Sequence, residues 1–189
     1  HIRDLGNFTV VGPSGSGKTV FLSFLSAQAQ RIVPRPKLLF VDKDRGAEIF
    51  IRAMGGQYEV LSPGESTGFN PLSLPDSGEN REFLFQLFAY MLKPSDDRQM
   101  SASEEQVIRN AVGAVLTGPD EGKTLPAFAT LLRGRLRAGE GDLLARLETW
   151  LRHDQRGWLF NNPTDQFSLS SIYGFDMTRV LDDPVIRTA

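Results

Sequence analysis

The most informative segment of the sequence is Asn7-Phe8-Thr9-Val10-Val11-Gly12-Pro13-Ser14-Gly15-Ser16-Gly17-Lys18-Thr19. Its apolar, β-branched first part, residues 7–11, predicts a buried strand. The second part, residues 12–19, fits the pattern G-x-x-x-x-G-K-[ST]. Apolar residues then recur at helical spacing up to Ala29, and the prolines at 34 and 36 stop that helix. A strand, a glycine-rich loop and a helix in this order predict a phosphate-binding loop.

Each part of the loop has a physical reason. The glycines allow backbone angles that turn successive N–H groups, from about Gly15 to Thr19, toward phosphate oxygens. The helix that follows adds the positive end of its dipole. Lys18 can reach the β and γ phosphates, and the Thr19 hydroxyl can ligate Mg²⁺. We therefore predict that the loop binds ATP with Mg²⁺ through Gly12, Pro13, Ser14, Gly15, Ser16, Gly17, Lys18 and Thr19. These residues alone do not distinguish ATP from GTP, and the alternative, a turn without a ligand, does not require Lys-Thr after the third glycine.

After the first helix, predicted strands and helices alternate along the chain, and a helical region then follows. The run Leu38 to Val41 predicts a strand ending on Asp42, followed by a short helix to Met54 and a strand from Tyr58. Strands alternating with helices at this spacing indicate a mostly parallel sheet. After a turn-rich stretch, helical patterns continue to about His153, and Ser101 with Glu104 predicts a capping box at the start of one of these helices. The run from 172 to 176 marks a return to β structure.

We therefore predict an α/β P-loop fold with an inserted all-helical subdomain. The predicted parts are an α/β core at 1–78, a helical insertion at 79–160, and a return to the core at 161–189. Because the chain opens on His1 and stops within an apparent helix, we expect an incomplete domain cut from a longer protein.

Composition excludes several classes of function. The chain has 189 residues, 40% of them hydrophobic, which suffices for a real core. The net charge of −2 does not support general attraction to nucleic acid or anionic membrane. There is no cysteine and there are two histidines, which excludes disulfides and leaves little for a catalytic metal site. No run approaches the roughly 20 apolar residues that a membrane helix needs.

Two acids end apolar strands and are candidates for the Mg²⁺ site. Asp42 ends a Walker B-like run of four apolar residues, and we keep it as a candidate site acid beside a simple helix-capping role. For Asp176, where Gly174 breaks the run, a structural role is favoured. Neither acid is followed by the Asp-Glu pair expected when a glutamate activates water, so we expect the catalytic glutamate to lie outside this chain.

The helical region concentrates basic charge. We interpret it as a solvated surface offset by nearby acids, in preference to a DNA groove or an arginine finger. The two tryptophans are interpreted as core residues. The basic residues are Arg133, Arg135, Arg137, Arg146, Arg152, His153 and Arg156.

Several stretches together resemble the conjugation and type IV secretion ATPases of the VirB/TrbE/CagE kind. Besides the P-loop, they are Phe40-Val41-Asp42-Lys43-Asp44-Arg45-Gly46-Ala47-Glu48, Arg52-Ala53-Met54-Gly55-Gly56, Gly68-Phe69-Asn70-Pro71-Leu72, Gly157-Trp158-Leu159-Phe160 and Gly174-Phe175-Asp176-Met177-Thr178. The resemblance implies a RecA-like ATPase, acting as a hexamer or other oligomer at the cytoplasmic face of the bacterial inner membrane. With other secretion-system subunits as partners, it would drive channel or pilus assembly and export of protein or DNA.

Two other functions stay open at this point. A DNA translocase or coupling protein would share the RecA-like core, and DNA would stimulate its ATPase activity. A nucleotide-dependent scaffold would support assembly equally well after Lys18→Ala. A small-molecule kinase is less favoured, because no acceptor-binding acid or lid is evident.

Overall fold

The computed structural model describes residues 6–94, 98–135, 142–166, 171–181 and 186. These residues form two compact units. The first contains the described residues of His1–Val60 and Leu169–Thr178, and the second contains those of Leu61–Ser168 and Arg179–Ala189. Along the sequence, the long segment of the second unit therefore lies between the two segments of the first.

The first unit is built on a parallel sheet. Its strands β1 (Leu38–Asp42), β2 (Gln57–Val60) and β3 (Ile172–Asp176) lie in the order β1-β3-β2. Helix α2 (Glu48–Ala53) connects β1 to β2. Asp42 is in register with Asp176, and Tyr58 with Gly174. The prediction of an α/β fold with a parallel sheet is confirmed.

One face of this sheet carries the core of the first unit. Ala47, Ile51, Tyr58 and Ile172 are buried there, and Leu38, Phe40, Phe50, Met54 and Val60 pack against them. Alternate residues of β1 point the other way, and the side chains of Leu39 and Val41 are 59% and 62% exposed. The second face of the sheet is therefore exposed at β1, whereas Tyr173 on the central strand is buried there.

The prediction of a buried strand at Asn7–Val11 is wrong. No regular structure is assigned to these residues, and Phe8 and Val11 are 69% and 90% exposed. A strand is stabilised by a neighbour that takes up its backbone N–H and C=O groups. Among the described residues no strand pairs with this segment, and its residue types could not reveal that.

Helix α1 (Lys18–Ala29) has the predicted limits: it begins directly after Gly17 and ends before the prolines. It has no buried residue. Val20, Phe21 and Phe24 are among its exposed apolar side chains. In the described part of the chain, burial of apolar side chains therefore contributes little to the stability of this helix.

The second unit is helical within the described residues. Its α-helices are α3 (Gly78–Met91), α4 (Ala102–Leu116), α5 (Leu125–Arg133), α6 (Asp142–Leu151) and the short α7 (Trp158–Phe160). Pro71–Ser73 and Asp120–Gly122 form 3₁₀ turns, and His153–Gly157 forms a π-helical turn. Ser77, Ser101 and Thr124 cap α3, α4 and α5 through their hydroxyl groups. The predicted capping box of Ser101 and Glu104 is present.

Aromatic rings form much of the core of this unit. The rings of Phe88 and Phe128 stack with centroids 4.1 Å apart. Trp150 and Trp158 are each 1% exposed, and the Trp150 indole N–H donates to the Met91 carbonyl at 3.1 Å. Both tryptophans are core residues, as predicted.

The unit boundaries, 61 and 168, differ from the predicted limits of the insertion, 79 and 160. The turn-rich stretch before α3 is hydrogen-bonded to the end of the helical region: the Thr67 N–H donates to the Trp158 carbonyl at 3.1 Å. The Asn162 side chain donates to the Phe69 carbonyl at 2.7 Å. Val180, predicted to lie in the α/β core, is fully buried in the second unit. Long-range hydrogen bonds of this kind have no local sequence signal.

No helix among the described residues is long and apolar enough to span a membrane.

Candidate functional site

The glycines of the loop at 12–19 serve different purposes. Gly15 and Gly17 have φ angles of +76° and +83°, in the left-handed region that strains other residues. Gly12 lies close to Ser16: a Cβ at position 12 would lie 2.6 Å from the Ser16 hydroxyl oxygen, a contact that rotation of the Ser16 side chain would relieve. The Ser16 N–H donates to the Pro13 carbonyl at 3.2 Å and closes the turn. The loop thus combines two glycines in the left-handed conformation with a hydrogen-bonded turn.

The start of α1 leaves its first N–H groups without a side-chain cap. Gly17 is the N-cap residue and offers no side chain, and the first turn contains no acidic residue. The positive end of the helix dipole is therefore not offset by a local carboxylate. An anion at this position would receive both the dipole and the N–H groups. This arrangement fits a nucleotide phosphate.

Lys18 reaches back across the loop. Its Nζ atom donates to the carbonyl oxygens of Gly12 and Pro13, at 2.8 Å and 2.7 Å. An ammonium group has three donors, so one remains for a phosphate oxygen. The loop backbone thus holds the positive charge beside the uncapped N–H groups.

Asp42 is a buried acid with fixed orientation, at 8% exposure. Its Oδ1 accepts from the Lys43 N–H at 2.9 Å. Its Oδ2 accepts from the Ala47 N–H and from the Tyr58 hydroxyl, both at 2.7 Å. The turn after β1 therefore wraps around the carboxylate and leaves more of Oδ1 than of Oδ2 for further partners.

Gly46 lies between Asp42 and the phosphate loop. A Cβ placed on it would be 3.8 Å from the Thr19 hydroxyl oxygen and 3.8 Å from Asp42 Oδ1. The structure thus brings together the two predicted metal-site residues around a position without a side chain. Mg²⁺ in such sites takes one or two protein ligands and fills its octahedron with phosphate oxygens and water. The residues present fit it.

No three His, Cys, Asp or Glu side chains converge as a metal cluster in the described part of the chain. A metal here would depend on the nucleotide for most of its ligands.

Asp176 has a different role, although it is in register with Asp42. Its Oδ1 accepts from the Thr178 N–H at 3.1 Å and from the Thr178 hydroxyl at 2.5 Å. That hydroxyl accepts from the Asp44 N–H at 2.6 Å. Asp44 and Arg45 have φ angles of 62° and 56°. Asp176 thus stabilises the strained turn that encloses Asp42, in agreement with the structural role favoured from the sequence.

Tyr58 and Thr178 were missed by sequence reasoning. Tyr58 reads as one more apolar residue of a strand, and Thr178 as one residue of a loop. Their partners are 16 and 134 residues away in the sequence, so no local pattern marks them.

Two arginines of the helical unit, Arg146 and Arg152, differ in burial and in their partners. Arg146 is only 12% exposed and contacts Glu104 at 2.8 Å, so its interpretation as a solvated residue is wrong. Arg152 pairs with Asp154 at 3.0 Å. Arg137 lies outside the described residues. The charges of Arg146 and Arg152 are thus balanced within the unit, which does not favour a DNA groove.

Known proteins resemble the chain over nearly its whole length. VirB4 of Bartonella henselae is 38% identical over 188 residues, 99% of this chain and 23% of that protein. PtlC of Bordetella pertussis is 41% identical over 198 residues, 97% of this chain and 24% of that protein. Both are type IV secretion system proteins. These matches confirm the predicted resemblance. No protein-family model matches the chain.

Among solved structures, VirB4 of Thermoanaerobacter pseudethanolicus matches with a TM-score of 0.66. The match covers 93% of this chain and 51% of that one, at 15% identity, and it shows a shared fold. The chain spans about a quarter of the length of the curated relatives cited above.

Proposed function

We propose that this chain, a homologue of the VirB4 and PtlC type IV secretion proteins, is the ATP-binding part of a secretion motor. The observation that carries the proposal is the loop at 12–19. There the Lys18 ammonium group donates to two backbone carbonyl oxygens of the loop, and the first N–H groups of α1 have no side-chain cap. Thr19 of this loop and Asp42 both lie near Gly46, and this supports a metal site at that position. The relatives supply the context, secretion, but not the roles of individual residues.

In this proposal the loop and Lys18 bind the triphosphate by charge. The N–H groups from Gly15 to Thr19 donate to phosphate oxygens, and the Lys18 ammonium offsets their negative charge. The residues that would hold Mg²⁺ are Thr19, through its hydroxyl group, and Asp42, through Oδ1. Bound Mg²⁺ would neutralise charge developing on the phosphates. Hydrolysis in the whole protein would follow by in-line attack of water on the γ phosphate.

Turnover by this chain alone should be weak. Residues that follow the strand-ending acids are Lys43 and Met177, so neither strand supplies a glutamate to activate water. ATP binding and efficient hydrolysis are therefore separable here, and binding is the property to test.

The wider proposal concerns the whole protein. We infer a RecA-like core, supported by the parallel sheet and its P-loop, in a motor that works as a hexamer or other oligomer. It would act at the cytoplasmic face of the bacterial inner membrane with other secretion-system subunits. Its ATP hydrolysis would power channel or pilus assembly and substrate export.

Calorimetry of the chain with Mg-ATP tests the proposal. Lys18→Ala should weaken binding at least about tenfold, because a charge-assisted contact with phosphate is lost. Lys37→Ala is the matched control, since it removes the same charge from an exposed position of the same unit, outside the loop. Binding that is absent in the wild type, or equal in the wild type and the Lys18 variant, would falsify the proposed site.

A further inference from the structure

Tyr58 and Asp42 form a hydrogen bond across a strand. They belong to β2 and β1, which are not neighbours, because β3 lies between them. The Tyr58 hydroxyl nevertheless reaches Asp42 Oδ2 at 2.7 Å. Tyr58 is 3% exposed and Asp42 is 8% exposed, so water competes little for the bond. The ring must therefore pass over β3.

Gly174 provides the passage. It is in register with Tyr58 on one side and with Phe40 on the other. A Cβ at position 174 would lie 2.5 Å from Tyr58 Cδ2 and 2.9 Å from Tyr58 Cε2. Neither atom can move far, since both belong to a rigid ring packed in the core. The glycine that interrupts the apolar run of β3 is thus explained by the path of this side chain.

The bond occupies one oxygen of Asp42 and leaves the other on the side of Gly46. Oδ2 is occupied by the Tyr58 hydroxyl and the Ala47 N–H, whereas Oδ1 has the Lys43 N–H and lies toward Gly46 and Thr19. In this pair the Tyr58 hydroxyl is the donor and the carboxylate oxygen is the acceptor.

The Arg52 side chain contacts both the backbone and the ring of Tyr58. The Arg52 guanidinium donates to the Tyr58 carbonyl at 3.0 Å, and its Cζ atom lies 5.9 Å from the centre of the ring. With backbone and ring both held, the hydroxyl has a defined position.

We propose that Tyr58 is a positioning residue for the metal site: its hydroxyl holds Asp42 so that Oδ1 faces Thr19, and Gly174 admits its ring. The inference rests on the proposed nucleotide site, because it concerns how that site holds Mg²⁺. Tyr58 itself would touch neither nucleotide nor metal.

The test measures how much Mg²⁺ strengthens ATP binding. ATP affinity of the 189-residue chain is measured by calorimetry with Mg²⁺ and with EDTA, and the ratio is compared among variants. Tyr58→Phe keeps the ring and removes the hydroxyl, and it should reduce the ratio about tenfold, as is typical when a group that orients a metal ligand is lost. Affinity in EDTA, which depends on Lys18 and the loop, should not change.

Tyr173→Phe is the matched control. Tyr173 is also buried in the sheet, at 4% exposure, but it neighbours Gly174 along β3 and so points to the opposite face. This variant should keep the wild-type ratio. Thermal unfolding checks that both variants are folded.

Gly174→Ala gives a second approach. Its methyl group should displace the ring and lower the ratio in the wild-type background, but add nothing in Tyr58→Phe, where the bond is already absent. A folded Tyr58→Phe chain with the wild-type ratio would overturn the inference and leave nucleotide binding intact. A wild-type chain that binds ATP equally with and without Mg²⁺ would also overturn it. Failure of the wild type to bind ATP at all would overturn the proposed function together with the inference.

Discussion

Glu104, at the start of α4, is a buried carboxylate shared by two arginines and the backbone. Its oxygens lie 2.9 Å from both terminal nitrogens of Arg98, and Arg146 contacts it at 2.8 Å. The Ser101 N–H donates to it at 2.8 Å. The Arg98 guanidinium is the main reason that the pKa of Glu104 lies well below its ordinary value. A helix cap is thus combined with an ion cluster.

We expect Glu104→Gln to destabilise the second unit by about 2 kcal/mol at neutral pH, because it leaves Arg146 without its buried partner. A lowered pKa contributes stability above the ordinary value of 4.5 that is lost as the pH falls below it. The difference between wild type and variant should therefore shrink from pH 7 toward pH 3. Urea unfolding followed by tryptophan fluorescence at several pH values measures it.

Glu105→Gln is the control for the Glu104 experiment. Glu105 is exposed and also lies in the first turn of α4, so its loss reports the effect of the helix dipole alone. Equal destabilisation by the two substitutions would contradict a specific ion cluster.

Among single residues, the sequence could identify those whose roles are local. Gly15 and Gly17 have the left-handed angles that the loop pattern requires, and the predicted Ser101 cap is present. Asp42 and Asp176 could be found as strand-ending acids, but not told apart by their partners. That distinction depends on Tyr58, which lies 16 residues from Asp42 in the sequence, and on the contact of Thr178 with Asp44, which lies 134 residues away.

At the level of elements, the π-helical turn His153–Gly157 explains a glycine in one of the stretches that carry the family resemblance. The Gly157 N–H donates to the Arg152 carbonyl at 2.9 Å, five residues back. A Cβ on Gly157 would lie 2.8 Å from the carbonyl carbon and oxygen of Arg152. These are backbone atoms, so the turn would have to open to admit a side chain.

We therefore expect Gly157→Ala to destabilise the second unit by about 2 kcal/mol, through overpacking against the backbone. Gly78→Ala is the matched control, because Gly78 begins α3 and a Cβ there would meet no atom within 4 Å. It should stabilise the same unit by about 0.5 kcal/mol, because alanine restricts the unfolded chain and favours the helix. Urea unfolding compares the two, and a destabilising effect of the same size for both would contradict the close contact at Gly157.

At the scale of the whole molecule, most helices and strands could be predicted from the sequence, but the boundaries of the two structural units could not. Helical periodicity and caps identified the helices because those signals are local, and β1, β2 and β3 were found from short apolar runs. The segment at 7–11 failed because a strand also needs a neighbour, which no run of residue types supplies. The unit boundaries differ from the predicted limits for a similar reason, since Thr67 and Asn162 join the turn region to the helical unit over more than 90 residues.

The exposed side of β1 leads to a prediction about the chain in solution. In the described sheet β1 is an edge strand, and its Leu39 and Val41 side chains are 59% and 62% exposed. An exposed apolar edge strand offers both unpaired backbone groups and apolar surface to another chain. We expect the isolated chain to self-associate as its concentration rises, which sedimentation velocity measures.

The double substitution Leu39→Thr and Val41→Thr should weaken this association at least about tenfold, because it removes apolar area while threonine preserves the strand. Phe83→Ser is the control: Phe83 is 52% exposed but belongs to the second unit, so its loss should leave the association of β1 unchanged. Association that persists in the double variant and disappears with Phe83→Ser would place the self-association surface on the helical unit instead. A wild-type chain that stays monomeric at high concentration would show that the edge of β1 is protected by something other than its side chains.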